Sequence, residues 1–396
     1  MVIKRETLCN DVRSLYPTAF GIRKSLQRLK IKRLRRFLLS PEDVRKCETN
    51  PEMVSQILAP HLVKYKNRLR HIEDEMEDVL KNTPKYKNIS DQEALRTDIM
   101  YWYLAHGFLP SEYACFDFEE KSRDERLSFV SDIDTSEFGY TVNDITVIQG
   151  IVDKGRCYTN YPHLFHRDAL VVEKKTDFEK YKAFIRNHPI FVQKEVLSCM
   201  GKGVKLVDLT TVGCSEEEYF NKLIASGRHL LEERVIQCEE MSRFNPSSVN
   251  TVRCITMRTV DGVNVPWCFM RTGKGGSFVD NGGSGGLFLG VDPKTGIITS
   301  DGIDEHNVIY THHPDTGVKF VGMQIPRWSE MIQFCKSESA KIKGMGYLSW
   351  DMALTDNGWD VIELNEIGQL IGPQMTAKKG IRKELERLLQ SMPKVV

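Results

Sequence analysis

The sequence predicts an α+β protein with a mainly helical N-terminal region. Three observations carry that prediction. Apolar residues recur at three- to four-residue steps between about residues 41 and 132. Beyond about residue 140, β-rich runs alternate with helix-capping signals. Near the C-terminus, Gly346–Gly368 reads as two short strands joined by the turn Thr355-Asp356-Asn357-Gly358. The expected boundaries are a basic segment 1–40, a helical region 41–140, a first mixed unit 141–240 and a second unit 241–396.

Taken in order, 22–39 (IRKSLQRLKIKRLRRFLL) reads as a basic amphipathic helix, with Ile22, Leu26, Leu29, Phe37 and Leu38 along one side. Such a helix can pack on the domain, lie on an anionic membrane face or bind a partner. Ser40-Pro41-Glu42-Asp43 is a helix start. Val54 through Leu80 fits one long helix or two shorter ones, ended at Thr83-Pro84. Ser90-Asp91 starts another, carrying the aromatic-rich run around Trp102. The segment 144–155 ends a helix or strand near Asp153-Lys154. Thr176–Glu179 caps a helix, 189–196 is a strand, and 199–204 is a Gly-rich turn leading to a strand over 205–209. Ser215 opens a helix, and Arg228–Gln237 is β-rich. Residues 250–296 are largely β and include a glycine-rich loop suited to close approach of a ligand, and a strand pair near Asp292–Gly296. Helices follow over 327–343 and about 377–391, with 312–317 a loop between.

Composition places this among soluble globular chains: 41% hydrophobic, 28% charged, and no apolar run of membrane-spanning length. Ten cysteines without CxxC pairing point to reduced thiols and a cytoplasmic protein. Eleven of the 55 Lys/Arg but only two of the 54 acids fall in residues 1–36, so the remainder is acidic. That balance, without basic–aromatic interleaving, argues against nucleic acid. The basic start allows peripheral contact with the inner face of a membrane.

In the C-terminal hairpin, period-two alternation puts Val361, Glu363 and Asn365 on one face, where Asp351 of the partner strand can meet them. Two carboxylates and an amide oxygen suit Mg²⁺ carrying phosphate ligands. The bland alternative is the wet face of a surface hairpin. Lys194, followed by a glycine turn, suits phosphate oxygens, with a plain hairpin as the alternative. Glu232–Glu240 is an acidic strand edge that could pair with an adenine and a ribose. Arg253 and Arg271, with Lys274 and Asp280-Asn281, suit charge developing on a transferred phosphoryl group.

The order of these elements resembles the ATP-grasp superfamily, most closely its sugar-transfer associated branch. The matching stretches are Ser248–Met257, the PheMetArgThrGly…ValAspAsn…GlyGly run, HisHisProAspThrGly, and TrpAspMetAla…IleGluLeuAsn, within about residues 145–375. The resemblance implies an ATP-grasp fold, two α+β subdomains gripping ATP. It implies Lys154 and Lys194 at the phosphates and adenine, and Gly201, Lys202 and Gly203 in a closing loop. Glu233, Val235 and Ile236 would line the adenine hinge, and Glu240 (or Glu239) would bind ribose. Arg253 and Arg271 would neutralise the transferred phosphoryl group, with Lys274 and Asn281 beside them. Asp351, Glu363 and Asn365 would hold two Mg²⁺ ions. His312, His313 and Asp315 are candidates for a general base or for shaping a substrate loop. The implied activity is ligation of a carboxylate, activated as an acyl phosphate, to an amine on a sugar or polysaccharide precursor. Two other readings are a kinase for a small acceptor and a nucleotide-binding scaffold in a polysaccharide assembly.

Overall fold

The computed structural model describes residues 18–197 and 203–394. Two antiparallel sheets carry its second part. The smaller contains β1 (Ala169–Val172), β2 (Ile190–Glu195), β3 (Lys205–Asp208) and β4 (His229–Glu233), in the order β1-β4-β2-β3. The larger has seven strands: β5 (Val252–Thr259), β6 (Gly262–Thr272), β7 (Leu287–Val291), β8 (Gly302–Ile303), β9 (Ile309–Tyr310), β10 (Tyr347–Thr355) and β11 (Gly358–Asn365). Their order is β11-β10-β5-β6-β7-β8-β9.

The smaller sheet buries one face and offers the other to the space between the sheets. The larger packs apolar residues on both faces, the second through Ile255, Met257, Phe269 and Tyr347 against Phe138, Leu370 and Leu385, which leaves Arg253, Arg271 and Asp351 to border the cleft. In the smaller, Phe191, Val207 and Leu231 pack on helices Phe178–Asn187 and Glu216–Ser226. Alternation along the strands then turns Val192, Lys194 and Glu232 the other way. In the larger, Val252, Cys254, Trp350 and Met352 pack with Met331 and Cys335 of helix Trp328–Lys341. Arg253 and Asp351 therefore point to the opposite face. The helical region adds a third body, built on helices Val54–Asn82 and Gln92–His106, whose core is joined to the larger sheet through Ile303 and to helix Ile371–Ala377 through Met375. Ser40 caps its helix as expected, accepting from the Asp43 amide at 3.1 Å, and one 29-residue helix runs from Val54 to Asn82.

Several expectations need correction. The basic helix spans Thr18–Leu34, not 22–39, and its apolar residues do not form one stripe: Leu29 is 43% exposed while Gln27 is fully buried. Gln27 donates to the Asn143 carbonyl at 2.6 Å and accepts from the Ile145 amide at 3.3 Å. Lys30 meets Tyr140, and Arg35 pairs with Asp134 and Glu137. Among the described residues a buried amide docks this helix, and the side chain of Ile22 lies outside them. Helix Ile145–Val152 does end at Asp153 as expected, and Lys154 begins a further helix, Lys154–Asn160, capped by the same Asp153. Asp292–Gly296 is a turn flanked by isolated bridges, not a strand pair. The final helical segment divides into Ile371–Ala377 and Arg382–Gln390, with Lys378 in the left-handed region between them.

The hairpin correction bears most on the site. Asp351 pairs with Glu363, but the next residue, Met352, pairs with Val361, so Ile362 is an extra residue in β11. The bulge breaks the alternation. Val361 is buried in the core, opposite Glu363, while Ile362 turns to the cleft. Nor is the hairpin superficial: all of β10 except Thr355 is buried.

Candidate active site

The cleft between the sheets encloses about 300 Å³ and takes its walls from both. Lys194, Glu232 and Glu233 come from the smaller sheet, and Arg234 and Val235 from the segment just beyond β4. Arg253, Arg271, Asp351, Glu363 and Asn365 come from the larger. A concave, partly apolar site between two bodies, with a few converging charges, is the usual form of a small-molecule site.

Asp351 is the hub of the larger wall. It lies directly across from Arg253 on β5 and from Glu363 on β11. The Arg253 guanidinium donates to both of its oxygens at 2.6 Å, a bidentate pair. Arg271 approaches the same carboxylate at 3.0 Å, and Asn365 donates its amide at 3.1 Å. Burial pushes the Asp351 carboxyl up, but the two guanidinium groups outweigh it and hold it down at about 2. Arg271 is placed in turn by the Thr251 hydroxyl, which donates to Asp280. Burial opposes the charge of Arg271, and the carboxylates of Asp351 and Asp280 raise its pKa above the usual arginine value despite that.

Glu232 plays the same part on the smaller wall. It is 2% exposed and takes the Lys194 ammonium on one oxygen. The Tyr158 hydroxyl and the Arg167 guanidinium (2.7 Å) bond the other. Burial again pushes the carboxyl up, and Lys194 and Arg167 hold it at about 2. Between the two sets, Lys154 reaches Glu363 at 3.1 Å.

Asp351, Glu363 and Asn365 therefore converge on one strand pair, as the residue pattern predicts. The Asn365 amide nitrogen is committed to Asp351, which leaves its oxygen for a cation. Two carboxylates and an amide oxygen fit a hard divalent ion such as Mg²⁺. Lys194, Glu233, Val235 and Asn281 line the same cleft. Lys154 flanks it in a small adjoining recess with Lys194, Glu232 and Glu363.

Other predicted residues are placed elsewhere. Lys274 turns from the cleft, with its ammonium bound to Asp304 at 2.7 Å and to the Tyr310 hydroxyl at 2.9 Å. His313 is buried and both ring nitrogens are engaged, Nε2 with the Gly273 carbonyl at 2.7 Å and Nδ1 with the Asp315 amide at 3.2 Å. That arrangement makes it a brace for the glycine-rich loop. Ile236 is 74% exposed, and Glu240 sits exposed at the start of helix Glu239–Ser242; neither lines the cleft. Gly203 has φ 75° and neighbours Val204 of the cleft wall. Gly201 and Lys202 lie outside the described residues. In the glycine-rich loop, a side chain on Gly286 would put its Cβ 2.2 Å from the Asp280 carbonyl oxygen, so that glycine serves the loop's own backbone packing.

Glu232, expected only as part of an exposed acidic strand edge, is instead a buried counter-ion, and Arg167 is a site residue that no motif marks. Glu232 carries a faint signal, an acid inside the apolar run HisLeuLeuGluGlu, since a buried acid on a strand needs a partner. Arg167 carries none, because its partners lie 65 and 193 residues away.

Two sheets closing on a cleft with lysines on one wall and carboxylates and arginines on the other define a protein of the ATP-grasp class. The model of the sugar-transfer associated ATP-grasp family matches residues 135–390, and the chain belongs to that family. No curated protein matches it in sequence. Among solved structures it is similar to the ATP-grasp ligase PsnB complexed with minimal precursor, at 14% identity and a TM-score of 0.40 over 63% of this chain and 62% of that one. It is also similar to D-alanine-D-alanine ligases of Coxiella burnetii (11% identity, TM-score 0.39, 63% and 59% of the two chains) and Helicobacter pylori (13%, 0.37, 64% and 62%). The chain thus spans about three-fifths of the length of these proteins. Among the described residues, no helix is long and apolar enough to cross a membrane.

Proposed function

We propose that this chain is an ATP-dependent ligase that activates a carboxylate as an acyl phosphate and joins it to an amine carried by, or destined for, a sugar or polysaccharide precursor. The observation that carries the reading is the convergence of Arg253, Arg271 and Asp351 on one buried wall facing Lys194. A carboxylate is a poor electrophile, and phosphorylation gives it a good leaving group. The residues required for that step are positive groups around the moving phosphoryl oxygens and anionic groups for a metal beside them.

In this reading Glu233 to Val235 present strand-edge backbone to the adenine. Lys194 exchanges Glu232 for a phosphate oxygen. Arg253 and Arg271 turn from Asp351 towards the phosphoryl group and then hold the acyl phosphate. Asp351, Glu363 and Asn365 hold Mg²⁺, which when bound supplies positive charge to the phosphate oxygens. The buried floor keeps water from the activated carboxylate. The sugar link is drawn from the family description alone.

The test is ADP release with Mg²⁺-ATP over a panel of amino acids and uronic-acid sugar nucleotides, with and without hydroxylamine. A hydroxamate formed from one carboxylate supports the acyl-phosphate route. A phosphorylated acceptor without hydroxamate makes the chain a kinase instead. Glu363→Gln is expected to abolish Mg²⁺-dependent ADP formation while the protein stays folded, because that side chain is 37% exposed. Retained ADP formation would remove Glu363 from the metal site.

A further inference from the structure

Arg167 lies in the loop before β1, with its side chain 4% exposed. It rests against the rings of Tyr158 and Phe165, at 5.5 and 5.4 Å, and those rings stack on each other at 3.8 Å. From there it spans the two sheets. Towards β4 it donates to Glu232 from Nε at 3.3 Å and from Nη2 at 2.7 Å. Towards β11 its Nη1 donates to Asp360 at 2.7 Å and to the Val361 carbonyl at 2.6 Å, while Nη2 also reaches the Ile362 carbonyl at 3.2 Å. All five guanidinium N–H donors are used.

Both ends of this span bear on the site. Val361 and Ile362 are the residues of the β11 bulge, where an edge strand has carbonyls that its ladder does not satisfy. Were Ile362 not extruded, Asp351 would face Ile362 instead of Glu363. At the other end, the oxygen of Glu232 that Arg167 leaves free is the one that receives Lys194. One guanidinium thus fixes the bulge that aims Glu363 and the counter-ion that aims Lys194.

We propose that Arg167 is a positioning residue that couples the phosphate lysine on one sheet to the metal carboxylate on the other. This rests on the nucleotide reading of the cleft. The coupling needs the planar fork. Lysine keeps the charge but offers three donors from one point, so it can serve one carboxylate but not both carboxylates and two carbonyls together.

The test measures ADP binding to the full chain by calorimetry with and without Mg²⁺, beside thermal melting. For wild type, Mg²⁺ is expected to strengthen ADP binding; no ADP binding in either condition would defeat the nucleotide reading itself. In Arg167→Lys the strengthening by Mg²⁺ is expected to fall about tenfold, beyond the weakening of metal-free binding that a misplaced Lys194 produces. Leu69→Ala, in the core of the helical region, is the control for lost stability and should keep the full Mg²⁺ effect. An Arg167→Lys protein that melts early but keeps the wild-type Mg²⁺ effect would overturn the proposal and leave a structural ion pair. If Arg167→Lys does not fold, Asp360→Asn tests the same span by weakening one anchor. A Mg²⁺ effect reduced about threefold supports the coupling, and an unchanged one overturns it.

Discussion

The two walls of the cleft hold their charges in different ways. On the larger sheet, Asp351, Arg253 and Arg271 come from neighbouring interior strands, and register alone brings Arg253 opposite Asp351. On the smaller sheet, Lys194 and Glu232 are also on adjacent strands, but their geometry depends on Arg167, which reaches in from a loop and is anchored on the other sheet. One wall is assembled by pairing of neighbouring strands within one sheet and the other by a tie between the two sheets. Damage to the first should therefore appear as lost stability, and damage to the second chiefly as lost binding.

The sharpest way to break this contrast is Asp351→Ala. It leaves two buried guanidinium groups without their shared carboxylate, and a loss of about 3–5 kcal/mol is expected in urea unfolding. A loss below about 1 kcal/mol would show that the larger wall is not held by its ion pairs. Lys194→Ala should cost less, about 1–3 kcal/mol, because Glu232 keeps Arg167 and Tyr158 as partners. Its main effect is expected in nucleotide affinity, with the ADP dissociation constant rising about tenfold or more. Equal affinity in the two proteins would detach Lys194 from the nucleotide.

Acid should weaken both walls together. The carboxyls of Asp351 and Glu232 are held at about 2 in the folded chain, below their ordinary values of 3.8 and 4.5. The unfolded chain therefore binds more protons between those limits, and stability falls as pH falls. The contribution is complete above about pH 5 and is lost progressively towards pH 2. Urea midpoints measured across that range, for wild type and for Glu232→Gln, check the sign. A wild-type midpoint that rises on acidification would contradict it.

Much of the architecture was legible in the residues because it is written locally. The Asp351–Glu363–Asn365 hairpin combines two β-rich runs with a turn, and Ser40 and Ser215 announce their helices by capping chemistry. The dock of the basic helix was not legible, since a run of leucines and lysines does not reveal that Gln27 finds the Asn143 carbonyl. His313 and Lys274 show the same difficulty. Each has a side chain suited to catalysis, and each is occupied by loop groups distant in the chain.

By itself the sequence determined the helical start, the strand-rich remainder, the ordered lysines, arginines and carboxylates, and so the ATP-grasp family. These follow from short-range periodicity, capping and motif order, all encoded within a few residues of each position. Tertiary structure alone decided which glutamate faces Lys194, that Ile362 is extruded so that Glu363 meets Asp351, and that Arg167 joins the sheets. Those outcomes depend on satisfying buried charges and carbonyls between segments far apart in the chain, and no local pattern encodes that requirement.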